Sequence, residues 1–125
     1  MAITIRRQST ELNIEIDKGS TFRHTFTWKA GTTGSETPVN MTGATAKMSV
    51  RTKNVRSQVL YDLTTENNGI TLGDTDGTIE LYIPSADSSA FKWSEGYYDL
   101  EIYLSGGDTR RLLRGKITTF SENTI

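Results

Sequence analysis

Apolar residues fall on every second position at Ile79, Leu81 and Ile83, and again at Tyr98, Leu100, Ile102 and Leu104. A period of two is the spacing of side chains on one face of a β-strand. On a helix the same residues would be scattered around the axis, so a helix is excluded over both runs. Asn67-Asn68-Gly69, Gly73-Asp74-Thr75-Asp76-Gly77 and Ser105–Asp108 punctuate them as turns, and Gly96 is read as releasing the chain into the second run. The block from Gly69 to Gly115 thus reads as strands and turns with one short helical turn, and it holds no catalytic constellation.

Other segments extend the pattern. Leu12, Ile14 and Ile16 alternate as a first core strand, and Phe22, His24, Phe26 and Trp28 share one face of a second. Ala44, Ala46, Met48 and Val50 mark a third, then Val59, Tyr61 and Leu63 a fourth. Lys29 to Pro38 lacks apolar periodicity and reads as an exposed loop, and Arg51 to Arg56 as a basic connection. Pro84 stops the strand before it; Ser85 is placed to cap a helical turn that sends Ala86, Ala90 and Phe91 toward the core. Thr109 to Phe120 is the last long strand. About eight strands with regular turns predict an all-β antiparallel sandwich. Residues 11–121 form that sandwich, residues 1–10 an arm and residues 122–125 a tail. Ile3 and Ile5 alternate within the arm, which suits a short edge strand on its own sheet or a neighbour's.

A chain of 125 residues is one domain. Its net charge of −1 provides no field for nucleic acid or an anionic membrane. There is no Cys, hence no disulfide framework or thiolate metal site. No apolar run approaches the ~18 residues of a membrane span, and the first ten residues lack a signal-peptide core. Synthesis in a cytoplasm is expected, with the Asn40-Met41-Thr42 sequon unused.

Each candidate for chemistry has a plainer reading. His24, the single histidine, sits between Phe22 and Phe26 and has no nucleophile elbow to serve. Asp74-Thr75-Asp76-Gly77 begins like a calcium loop, but the turn glycine and the late glutamate fall on Ile79 and Ser85. Arg110, Arg111, Arg114 and Lys116 read as protection of an edge strand, or as partners of Asp99 and Glu101 on the preceding strand. No aromatic residue interleaves with them to make a nucleic-acid platform. Trp28 and Trp93 read as packing, with Trp93 closing one end of the sandwich. No enzyme activity, metal or cofactor is expected.

The surface of interest is aromatic. With Ile79, Leu81 and Ile83 inward, Tyr82 points outward; with Tyr98, Leu100, Ile102 and Leu104 inward, Tyr97 and Tyr103 point outward. Tyr82, Tyr97 and Tyr103 are expected to share an outer face as interface residues, with Ile3 and Ile5 as a second contact. A sugar-stacking face and a cross-strand cluster that only stiffens the sheet are the alternatives for the tyrosines.

Several segments carry a resemblance to a known group. Gly19-Ser-Thr-Phe-Arg-His-Thr-Phe-Thr-Trp28 and Val39-Asn-Met-Thr-Gly-Ala-Thr-Ala-Lys-Met-Ser-Val-Arg51 resemble small structural proteins of tailed bacteriophages. So do Asn68-Gly-Ile-Thr-Leu72, Gly77-Thr-Ile-Glu-Leu-Tyr-Ile-Pro84, the run Ser85 to Phe91, Gly96-Tyr-Tyr-Asp-Leu-Glu-Ile102 and Arg111-Leu-Leu-Arg-Gly-Lys-Ile117. Their order over residues 12–120 is also similar to the N-terminal domain of siphophage upper baseplate proteins. The resemblance implies an immunoglobulin-like sandwich and a place in a virion. The expected role is a tail, baseplate or fibre connector that binds other phage structural proteins in a symmetric homo-oligomeric assembly. The resemblance brings no catalytic residues. A lone domain fits an adaptor, collar or decoration subunit better than a receptor binder. A capsid decoration protein of the same fold and a carbohydrate-binding module are the other readings.

Overall fold

In a computed structural model of the chain, residues 2–5, 10–32, 34–54 and 56–121 are described, the first four as backbone only. The arm residues 1 and 6–9 and the tail residues 122–125 lie outside the described set. Strands β1 (Ala2–Ile5), β2 (Thr10–Glu11), β3 (Ile14–Asp17), β4 (Phe22–Ala30), β5 (Thr37–Pro38) and β6 (Thr45–Arg51) come first. Then follow β7 (Val59–Thr64), β8 (Ile70–Leu72), β9 (Thr78–Ile83), helix α1 (Ser85–Ser89), β10 (Glu95–Tyr103) and β11 (Thr109–Phe120).

The strands form two sheets. One has the order β1-β4-β9-β8, with β5 also on β4; the other runs β2-β11-β10-β6-β7, with β3 also on β11. The inner faces meet in one core. Phe26, Trp28, Ile70, Ile79, Leu81 and Ile83 come from the first sheet. Met48, Val50, Leu63, Leu100, Ile102 and Ile117 are among those from the second. Every second residue along β9 and β10 is buried, as their alternation requires. The architecture is an immunoglobulin-like β-sandwich.

Among the described residues there are eleven strands, of two to twelve residues, in place of the expected eight. The predicted loop from Lys29 to Pro38 holds the end of β4 and all of β5, which pair through Lys29–Pro38 and Ala30–Thr37. Backbone pairing there needs no apolar alternation, so the sequence hides it. Gly96 lies inside β10 and is buried rather than marking its start. Pairing is mostly antiparallel, but β1 runs parallel to β4, and β2 and β3 run parallel to β11. Ile3 is in register with Phe26 and Ile5 with Trp28, so this segment completes its own sheet.

The basic strand β11 is therefore not an edge. It carries β10 on one side and β2–β3 on the other, so its cations do not serve edge protection. Its consecutive Leu112 and Leu113 are both buried, which a regular strand forbids. A bulge opposite Leu100/Glu101 resolves this by pairing Leu100 with Leu113 and Glu101 with Arg111.

The expected first core strand splits at Leu12-Asn13 because it passes close over Gly115. A Cβ on Gly115 would lie 2.1 Å from the Leu12 carbonyl oxygen. In that gap the Leu12 N–H donates to the Arg114 oxygen at 2.8 Å, and the Lys116 N–H donates to Asn13 Oδ1 at 3.1 Å.

Helix α1 differs from its expected capping. Pro84 is the N-cap, no side chain caps the helix, and Ala86 and Ala90 are exposed; Phe91 alone of the three packs inward. The buried residue of the helix is Ser88. Its Oγ accepts the Gly19 N–H at 3.0 Å and donates to the Ser20 oxygen at 2.8 Å, tying the helix to the β3–β4 turn. Asn68, at φ 66°, carries the turn that its Asn-Asn-Gly sequence predicts.

Gly115→Ala is expected to destabilise the fold by about 2–3 kcal/mol, since backbone must move to admit the methyl group. Gly106→Ala, where a Cβ meets nothing within 4 Å, is the control and should stay within about 0.5 kcal/mol. Urea denaturation of both variants checks this; equal midpoints would discard the close-approach account.

Candidate functional site

Strand β10 is central in its sheet, so what it exposes is presented on a platform fixed from both sides. Its outward residues are Glu95, Tyr97, Asp99, Glu101 and Tyr103. On the β6 side, Arg51 is opposite Tyr97, Ser49 opposite Asp99 and Lys47 opposite Glu101. On the β11 side, Lys116 is opposite Tyr97, Arg114 opposite Asp99 and Arg111 opposite Glu101. Tyr97 and Glu101 are thus flanked by cations on both sides, Asp99 by Arg114 on one, and Tyr103 by Thr45 and Thr109.

An open depression of about 550 Å³ runs across this face. Four cations, Lys47, Arg51, Lys53 and Arg111, line it against two acids, Asp99 and Glu101, in a chain whose net charge is −1. Tyr97 and Tyr103 are 41% and 37% exposed, among the most exposed large apolar side chains described. They stand six positions apart on one strand face, which spans about 20 Å.

The face is loosely held. Arg111 Nε lies 3.7 Å from Asp99 Oδ2, and Lys116 Nζ lies 3.1 Å from Glu95 Oε2. The Tyr103 hydroxyl donates to Glu101 Oε1 at 3.1 Å. Partial burial first, and the Glu101 carboxylate second, push the Tyr103 phenol above its ordinary pKa. Hydrogen bonding and attraction to Glu95 raise that of Lys116. Both groups keep their protons at neutral pH. Exposed pairs of this kind each contribute about 0–1 kcal/mol to stability, so these residues are not what keeps the protein folded.

Tyr82 does not belong to this face, contrary to the expectation of three clustered tyrosines. It lies on β9, which pairs with β4 and β8, whereas β10 pairs with β6 and β11. The crossing at α1 moves the chain from one sheet to the other, so equal alternation in β9 and β10 points Tyr82 and Tyr97 to opposite sides of the sandwich. There Tyr82 is half-buried under the Arg23 guanidinium, 4.4 Å from the ring centre, and Arg23 is also paired with Glu80 at 3.2 Å. Of Ile3 and Ile5 the structure describes only the backbone pairing with β4.

Lys47, Arg51 and Arg111 were absent from the expected site. Their outward parity is readable from alternation, but their place beside Tyr97 and Tyr103 comes from strand order, which no local signal carries. Of the two acids expected to pair with the β11 cations, Asp99 pairs with Arg111, whereas Glu101 accepts from Tyr103 and its place is taken by Glu95, paired with Lys116.

The remaining candidates have structural surroundings. His24 sits between Phe22 and Phe26, with ring centres 5.6 and 5.5 Å away, and its pKa is lowered chiefly by burial. The Asp76 carboxylate accepts from the Thr78 N–H and hydroxyl at 3.0 and 2.7 Å, a turn rather than a cation loop. Among the described residues no group of three His, Cys, Asp or Glu is placed to hold a metal. Among the described residues no helix is long and apolar enough to cross a membrane. Trp93 packs on Phe91, which packs on Tyr61, and together they close one end of the sandwich.

No family model and no curated protein matches this sequence. Among solved structures, a chicken TCR is similar with a TM-score of 0.50 at 10% identity, over 96% of this chain and 57% of that one. The N-terminal domain of ORF48 of phage TP901-1 is similar with a TM-score of 0.47 at 11% identity, over 98% of each chain. Extracellular domains 3–5 of Drosophila OTK are similar with a TM-score of 0.39 at 14% identity, over 92% of this chain and 34% of that one. The chain spans less than two thirds of the TCR chain. The TCR likeness shows the fold alone.

Neighbouring tyrosines of β10 have opposite roles. Tyr98 is 3% exposed, and its hydroxyl donates to the Leu12 oxygen at 2.7 Å, anchoring the break between β2 and β3. Burial raises its pKa, so the phenol stays a donor through the neutral range. Tyr98→Phe should cost about 1 kcal/mol, while Tyr97→Phe should change stability by less than about 0.5 kcal/mol. Thermal unfolding of the two variants decides it.

Proposed function

We propose that this protein is a non-enzymatic structural module of a bacteriophage virion, a tail, baseplate or fibre connector. It docks to other virion subunits through the outer face of its six-stranded sheet. The phage assignment rests on the ordered run of sequence segments between residues 12 and 120 that resemble small tail proteins. The docking role rests on one observation: Tyr97 and Tyr103 stand exposed on a rigid central strand, Tyr97 between Arg51 and Lys116.

Physical reasons favour that face for binding. Tyrosine supplies large contact area and a hydrogen bond for little lost rotamer freedom. Arginine is likewise enriched at interfaces, and both residue types dominate binding hot spots. A platform whose ordering is complete before binding loses little entropy on association. The weak surface pairs leave the side chains free to exchange partners.

The experiment uses particles assembled with Tyr97→Ala/Tyr103→Ala protein. Heads and tails are separated and each fraction is quantified by mass spectrometry. Wild-type protein is expected in the tail fraction, and the double variant should be at least about tenfold depleted there, as loss of two hot-spot residues implies. Unfolding free energies within about 0.5 kcal/mol of wild type would confirm that the loss is one of docking. Wild type in the head fraction would move the role to capsid decoration. Absence from particles would reject a virion role.

A further inference from the structure

The charges on the outer face of the six-stranded sheet alternate strand by strand. The edge formed by β2–β3 exposes Glu11, Glu15 and Asp17. Next to it β11 presents Arg111, Arg114 and Lys116. Then β10 presents Glu95, Asp99 and Glu101, and β6 with its exit presents Lys47, Arg51 and Lys53. Between the two middle stripes Arg111 pairs with Asp99 and Lys116 with Glu95. The two outer stripes have no such relief. Among the described residues, the three acids of β2–β3 and the three cations of β6 and its exit form no ion pair.

We propose that this face pairs with the same face of a second copy, about a two-fold axis running along the strands between β10 and β11. The proposal rests on the docking role of the face and names its partner. An axis in that position leaves height along the strands unchanged. It exchanges β10 with β11, and β6 with β2–β3, and leaves the other edge strand, β7, outside the overlap. Acidic β10 then meets basic β11 of the second copy, and the reverse. The unpaired cations of β6 meet the unpaired acids of β2–β3, twice over by symmetry.

The register sets the levels. Glu101 faces Arg111 of the second copy, Asp99 faces Arg114, and Tyr97 faces the Lys116 ammonium. Glu11 shares its level with Arg114, hence with Asp99 and Ser49, two residues from Lys47's. Glu15 shares its level with Thr118 and Glu95, close to where Lys53 leaves β6. An axis over β10 itself would set acid against acid, and one over β11 base against base. The line between β10 and β6 also opposes unlike charges, but leaves the three unpaired acids of β2–β3 with nothing opposite, whereas the β10–β11 line leaves only β7, whose Asp62 already accepts from the Ser49 hydroxyl at 2.6 Å. The alternation selects the β10–β11 line.

Four strands about 4.8 Å apart, over about eight residues of about 3.3 Å, make a patch of about 19 by 26 Å. That is at the small end for a specific interface, so pairing is weak, reversible and sensitive to salt. Such pairing suits an assembly that holds many copies close together.

The test is sedimentation equilibrium of the full chain and of two charge-reversed variants. One carries Lys47→Glu and Lys53→Glu, the other Glu11→Lys and Glu15→Lys; all four residues are exposed, and circular dichroism checks that both variants fold. Wild type should dimerise, and raising NaCl from about 50 to about 500 mM should weaken the dimer at least about tenfold. Each variant alone should dimerise at least about tenfold more weakly, since it sets like charges face to face. Mixed one to one, they should form a heterodimer of near wild-type affinity, because both contacts again join unlike charges. A wild type that stays monomeric at about 1 mM in low salt would overturn the proposal, given how weak an interface of this size can be. So would a dimer indifferent to both reversals, or variants that fail to rescue each other. The docking reading is judged separately by the incorporation of the tyrosine variant into particles, which can fail or hold whichever way the dimer falls.

Discussion

Strand β10 hydrogen-bonds to β6 along one edge and to β11 along the other, so the parity of its side chains is locked from both sides. Tyr98, Leu100 and Ile102 go into the core, and Tyr97, Asp99, Glu101 and Tyr103 go out. A slip of one residue would exchange the two sets, burying the charges of Asp99 and Glu101 and exposing three core residues, a penalty comparable to the whole stability of a domain this size. Core and surface are therefore one decision. The residues that fill the interior dictate, by alternation alone, which residues form the platform.

The neighbours of β10 then have to fit a platform already set. On β11 the pair Leu112-Leu113 conflicts with strict alternation, and the bulge lets both enter the core while Arg111, Arg114 and Lys116 stay outside. On the far side of β11, the first segments of the chain must pass over Gly115, where only a missing side chain leaves room for the Leu12 carbonyl. The Tyr98 hydroxyl reaches the same carbonyl from the core side. One buried phenol and one bare backbone position thereby fix where the acidic edge of the sheet lies relative to the basic strand beside it.

Much of this was legible in the sequence, and for a single reason: alternation is local. The strands around Ile79, Leu100 and Met48, the turn at Asn68 and the end-closing role of Trp93 all follow from neighbours within a few positions. Sheet membership does not. Tyr82 and Tyr97 have the same local pattern, yet α1 carries the chain across the sandwich between them. Lys47 and Arg111 lie far apart in sequence and meet the same strand only through long-range pairing. Thr37–Pro38 is a strand by virtue of what β4 offers it. Ser88 matters because Gly19 and Ser20 arrive beside it, whereas Ser85, favourably placed by sequence, caps nothing.

The division of labour between interior and face has a consequence for how such a surface evolves. Exposed ion pairs hold little stability, so Lys47, Arg51, Asp99 and Arg111 can change without unfolding the sandwich. The strand scaffold beneath them cannot, since Leu100, Ile102 and Met48 are essentially without solvent contact, and truncating any of them would cost several kcal/mol. A rigid sheet with a freely variable charge pattern can therefore acquire new partners while keeping its fold. Strand-by-strand alternation of sign is a specific state of that pattern. A face of one sign would repel its own copies and a random face would favour none, whereas regular alternation makes the face complementary to itself at a shift of half a period, half the distance between stripes of like sign. The shift is one strand spacing, about 4.8 Å, so the sheet's own geometry sets the offset at which two copies fit.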